Sequence, residues 1–112
     1  MKYLLLICGD ENLELDAATA AQLNEDTERW VEKTGQVRVE GHRLRPSTSA
    51  TSIRVRGGEV LATDGPFAET KEQMGGFDIL KCDSLEQAIQ IAAAHPVAQF
   101  GTVEVRPFYE ES

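Results

Sequence analysis

The chain is short of nearly everything that would announce a reaction. Its two cysteines, Cys8 and Cys82, form no CxxC, and together with the two histidines, His42 and His95, they lack metal-ligand spacing. No metal is expected. No glycine-rich phosphate loop opens a helix, because Gly57-Gly58 separates two strand-like runs and Gly75-Gly76 precedes another. No serine stands in a nucleophile elbow, and no cofactor is expected. No apolar run approaches the roughly 20 residues of a membrane span. Leu4-Leu5-Leu6-Ile7-Cys8 is too short for the apolar core of a signal sequence, and no small-residue cleavage site follows it. These absences point to the cytoplasm, with both cysteines as free buried thiols and a disulfide between them as the alternative. Positive charge is also scarce: 11 Lys and Arg stand against 19 Asp and Glu, for a net charge of -8. Such a surface repels phosphate backbones, so neither nucleic acid nor a membrane is an expected partner. The short pairs Arg43/Arg45 and Arg54/Arg56 read as solvated strand faces.

What is present is an ordinary globular balance. Of 112 residues, 41% are hydrophobic and 27% charged, which makes residues 1–112 one domain with one modest core. Met1 to Cys8 is apolar on both faces and reads as a strand covered on both sides. Asp16 to Thr34 is helical, with Leu23, Thr27, Trp30 and Val31 on one stripe and Gly35 just beyond the end. Val37 to Leu44 alternates as a strand. Thr51–Arg56 and Glu59–Thr63 alternate with period two about Gly57-Gly58, a hairpin signal. Phe77–Cys82 is another strand. Ser84-Leu85-Glu86-Gln87 is a capping box, opening a helix whose buried stripe is Leu85, Ala88, Ile89 and Ala92 and which Pro96 ends. Gly101–Arg106 is the last strand.

The order is β-α-β, a hairpin, then β-α-β: an α+β, ferredoxin-like split βαβ antiparallel sheet with an inserted β-hairpin. Two helices cover only one face of a four-stranded sheet, yet Leu4 to Ile7 require cover on both. The economical cover is a second copy of the chain, packed sheet against sheet as a homodimer.

The run Asp64-Gly65-Pro66-Phe67-Ala68-Glu69-Thr70-Lys71-Glu72-Gln73-Met74-Gly75-Gly76-Phe77 closely resembles the DGPF-motif branch of the YCII-related family. The opening Met1–Ile7, the strand Thr51–Arg56 and the closing Val103–Pro107 resemble it too, so the likeness spans the chain. It implies a dimeric α+β barrel and a bacterial setting beside extracytoplasmic-function sigma factors. It does not supply a reaction. More distant relatives, proposed to be enzymes, carry a histidine early in the first helix and an aspartate before a proline after the second. Here the first helix has no histidine, and His95 precedes Pro96.

Candidate site residues follow from chemistry. Asp64 reads either as a general base at a cavity rim or as a turn residue accepting backbone N–H bonds. Gly65, Pro66 and Phe67 make its turn stiff. Glu69, Lys71 and Glu72 read as a ligand clamp or as a solvated loop. Gly75 and Gly76 allow a ligand close approach or simply a bend. His95, at the C-terminal end of the second helix, is placed to favour its protonated form and to serve as acid or base. Glu104 and Arg106 share a strand face and can bind a polar ligand or each other; Tyr3 and Asp78 lie on central strands. Two hypotheses result. One is a small-molecule-binding dimer with cofactor-independent proton-transfer chemistry of an isomerase or lyase kind, on Asp64 and His95. The other is a non-catalytic regulatory partner linked to a sigma factor.

Overall fold

The structure is a computed structural model that describes residues 1–110. Strand β1 (Lys2–Gly9) leads into helix α1 (Ala17–Lys33) and strand β2 (Arg38–Arg43). A single 3-10 turn at Ser47–Ser49 precedes the hairpin β3 (Thr51–Arg56) and β4 (Glu59–Asp64). Strand β5 (Gln73–Lys81), helix α2 (Leu85–Ala93), a 3-10 turn at Pro96–Gln99 and strand β6 (Thr102–Pro107) complete the chain. The main sheet has the order β2-β5-β1-β6, with β1 antiparallel to both neighbours, and the hairpin forms a separate two-stranded sheet. This is the expected split βαβ plan. Among the described residues no helix is long and apolar enough to cross a membrane.

Each helix starts where local chemistry places it. The Asp16 carboxylate accepts from the Thr19 amide at 2.7 Å and opens α1. The Ser84 hydroxyl accepts from the Gln87 amide at 3.1 Å and opens α2. The Gln87 side chain reaches back to the Asp83 amide, one residue beyond the usual capping-box target. Gly57 and Gly58, at φ +57° and +78°, supply the left-handed pair that a tight hairpin turn of this hand requires.

Two expectations about local structure change. Strand β5 begins at Gln73 rather than Phe77, absorbing Gly75-Gly76, because β1 extends to Gly9 and offers it partners. The register shifts between Ile7 and Cys8, which leaves Gly75 as an extra residue. On α2 the buried stripe is Ala88, Ile91 and Ala92, while Leu85 and Ile89 are exposed. Small alanines let the helix lie close to the sheet, and the stripe continues at helical spacing onto His95.

Alternation sorts the sheet into two faces. Tyr3, Leu5, Asp78 and Leu80 are buried beneath the helices, joined by Trp30, Ala88 and Ala92. The other face carries two cross-strand rows, Glu40-Ile79-Leu4-Arg106 and His42-Phe77-Leu6-Glu104. Its centre is apolar and half-buried, its edges are charged, and among the described residues both helices pack on the opposite face. The molecule is a plate of 48 × 47 × 18 Å, the thickness of one helix layer on one sheet.

Candidate functional site

The buried polar groups all lie on the helix-covered side. Asp78, 6% exposed, sits mid-strand between apolar neighbours and shares the inward parity of Leu80. Its Oδ1 accepts from Arg38 Nε at 2.7 Å, and Arg38 is its one side-chain partner among the described residues. The pair fits because residue 41 opposite Asp78 is glycine. A Cβ there would lie 1.9 Å from Asp78 Oδ1 and 2.3 Å from Arg38 Nη2. A short bulge between Arg38 and Glu40 turns the Arg38 side chain onto this face.

His95 is 4% exposed. Its Nδ1 accepts the Val97 amide at 3.1 Å, capping the 3-10 turn that Pro96 begins. Its ring meets Trp30 edge-on at 4.7 Å, and Trp30 is itself anchored by Nε1 donating to the Ile91 carbonyl at 2.9 Å. This corrects the expectation that a helix end would favour the charged ring. Burial pushes the His95 pKa below its ordinary value, and the nearby Asp78 charge opposes that shift only in part. With Nδ1 accepting, the neutral ring carries its proton on Nε2. Among the described residues Nε2 has no partner and no fully buried side-chain nitrogen or oxygen is left unsatisfied, so Nε2 keeps access to the space beside it.

That space is a cavity of about 450 Å³ between α1 and the sheet. Arg38, Gly41, Asp78, His95 and Trp30 line it, with apolar wall from Leu23, Val31 and Phe100. The guanidinium and His95 Nε2–H are donors, and Asp78 is an acceptor. A wider groove of about 580 Å³ runs between α1 and α2. Its Arg29 is engaged with Glu25 and Asp26 in solvent, so it offers no desolvated charge. Among the described residues no cluster of three metal-ligating side chains occurs.

Apart from Gly75 and Gly76, the other sequence candidates lie outside this wall. Asp64 ends β4, exposed, opposite Thr51. Gly65, at φ +103°, donates to the Ala50 carbonyl at 2.7 Å and accepts from Ser52 Oγ at 2.8 Å. These bonds fasten the turn through backbone and leave the Asp64 carboxylate out of it. Pro66 is half-buried and Phe67 is 74% exposed. Glu69 and Lys71 are exposed, and Glu72 accepts from Thr102 Oγ1 at 2.7 Å. Glu104 and Arg106 pair with each other on the open sheet face. Gly75 and Gly76 do reach the cavity's edge. The structure therefore does not join Asp64 to His95. It joins His95 to Arg38 and Asp78. The signal that could have found Asp78 was a carboxylate at an inward position of an apolar strand; Arg38 carried none, because only the bulge turns it inward.

Comparison with known proteins places the whole chain in context. The YCII-related domain matches residues 1–112. An uncharacterized protein of Rhizobium meliloti (strain 1021) is 38% identical over 119 residues, covering 96% of this chain and 91% of its own length. Among solved structures, the fold matches 5-chloro-2-hydroxyhydroquinone dehydrochlorinase from Burkholderia phenoliruptrix AC1100, in complex with 2,5-dihydroxybenzoquinone. The TM-score is 0.61 at 10% identity, over 99% of this chain and 96% of that one.

Proposed function

The chain belongs to the YCII-related family, and we propose that it is a homodimeric small-molecule-binding protein that transfers a proton in the cavity between α1 and the sheet, without a cofactor. The observation that carries this reading is a largely buried ion pair, Arg38–Asp78, beside a buried neutral His95 whose Nε2 has no partner among the described residues. Buried charges and neutral histidines are costly, and they concentrate where chemistry uses them.

The roles follow from donor and acceptor positions. Arg38, held on Asp78 through Nε, presents its terminal nitrogens to a ligand's anionic oxygen. The Asp78 carboxylate takes a proton from one atom of the ligand and returns it to another, while the neutral His95 keeps its proton and donates a hydrogen bond through Nε2–H to the oxygen on which charge develops. Trp30 gives a planar ligand a flat apolar wall. Asp64, Glu69 and Lys71 are then an outer rim rather than the reacting groups. The open face of the sheet, with Leu4, Leu6, Phe77 and Ile79 at its centre, is the homodimer seam.

A thermal-shift screen of small polar metabolites tests this. Hydroxylated planar rings come first, because such a ring is the ligand in the structural neighbour. A ligand that binds only the folded state raises the midpoint by mass action. Compounds that stabilise the wild type are expected to lose their effect in Asp78→Asn and His95→Gln and to keep it in Asp64→Ala. Hits that survive both cavity variants would sink the reading. The second reading, a non-catalytic partner linked to a sigma factor, draws on the exposed apolar residues of the hairpin and gains if no compound shifts the midpoint.

A further inference from the structure

The hairpin β3–β4 stands apart from the body. The radius of gyration is 16.1 Å, against about 13 Å for a compact domain of this length. Residues directly opposite in an antiparallel pair share a face. Ile53 therefore stands with Ala62, and Val55 with Val60, on one side; Arg54, Arg56, Glu59 and Leu61 occupy the other. Ile53, Val55 and Val60 are 59%, 55% and 67% exposed. An isolated two-stranded hairpin is marginal in water, and this one leaves roughly 300 Å² of continuous apolar surface, the size at which an exposed patch on a monomer is usually functional.

We propose that the hairpin is an arm that lies on a second copy of this chain, each copy embracing the other. This rests on the homodimer reading above. Three observations select a second copy as the occupant. The first is charge. Five of the eleven basic residues, but only three of the nineteen acidic ones, fall between Arg38 and Asp64. That stretch is +2 in a chain of -8, which leaves -10 on the remainder. The arm and the strand before it thus complement the body of another identical molecule. The second is area. Two arms and the surfaces they cover would bury about 1,200 Å² before the sheet faces are added, which already reaches the lower range of stable interfaces. The third is symmetry. An arm exchanged about a twofold axis is covered twice by one contact, and the apolar sheet face opposite the helices is offered to the same partner.

The test is site-resolved thiol labelling of Val60→Cys, read by peptide mass spectrometry so that Cys8 and Cys82 do not interfere, with sedimentation run alongside. At high protein concentration the thiol at position 60 is expected to react about tenfold more slowly than at a dilution where the protein sediments as a monomer. The double variant Val55→Ser/Val60→Ser is expected to weaken the dimer about tenfold and leave the monomer folded. A protein that sediments as a dimer while position 60 reacts at the free-thiol rate overturns the arm and leaves the homodimer standing. A monomer at every concentration overturns both.

Discussion

The cavity under α1 and the hairpin with its following loop are opposites in how they are built. The cavity draws Arg38, Gly41, Asp78 and His95 from three separate elements, each residue unremarkable where it stands in the chain. The run from the end of β4 through the following loop into β5, Asp64 to Phe77, is continuous and unusual in composition, yet its charged loop side chains spread outward. Asp64, Phe67, Glu69 and Lys71 are all exposed. The difference teaches that conspicuous sequence and convergent geometry are separate properties. A contiguous motif can specify a turn through its backbone, as Gly65 does with Ala50 and Ser52. Convergence of charged side chains needs strand pairing, which linear order does not display.

That contrast can be broken most sharply at Gly41. Gly41→Ala puts a methyl group inside contact distance of both Asp78 and Arg38, so relief requires parting the pair. The expected loss is about 3 kcal/mol, as for breaking a largely buried ion pair, measured by urea denaturation. Unchanged stability would mean that strand β2 yields freely, and the cavity is then no more rigid than the loop.

A pH titration of stability comes next in size. The His95 pKa is lowered in the folded state, so below its ordinary value near 6.5 the unfolded chain binds the extra proton and the folded chain resists it. Stability is therefore full above about pH 6.5 and falls as the pH drops below it, with a slope of at most about 1.4 kcal/mol per unit from this one group. His95→Gln should flatten that limb. An identical limb in the variant would assign the acid sensitivity elsewhere.

The smallest effects belong to the loop. Glu69→Ala and Lys71→Ala, both exposed and unpaired among the described residues, should each change stability by less than about 0.5 kcal/mol. They should also leave ligand shifts in the cavity intact. A loss of ligand binding in either would return the loop to the site and erase the contrast.

Much of the fold was legible along the chain. Helix starts at Asp16 and Ser84, the glycine hairpin at Gly57-Gly58 and the period-two strands are local effects, set by residues within a few positions of one another. The apolar doubling of Leu4 to Ile7 even disclosed a sheet with apolar residues on the face away from the helices. The site was legible only in part. His95 stood out by its residue type, but its charge preference was misread, because a helix-end argument applies to a solvated ring and this ring is buried against Trp30.

The sequence by itself determined the elements, their order and the ferredoxin-like plan, because capping, turn chemistry and hydrophobic period act over short stretches of chain. Only the tertiary structure decided which polar residues meet. Antiparallel pairing of β2 with β5 sets Gly41 opposite Asp78, the bulge turns Arg38 inward, and packing of α2 buries His95 beside them. Register and burial over a separation of 40 residues between Arg38 and Asp78 are cooperative properties of the packed chain, and no local rule contains them.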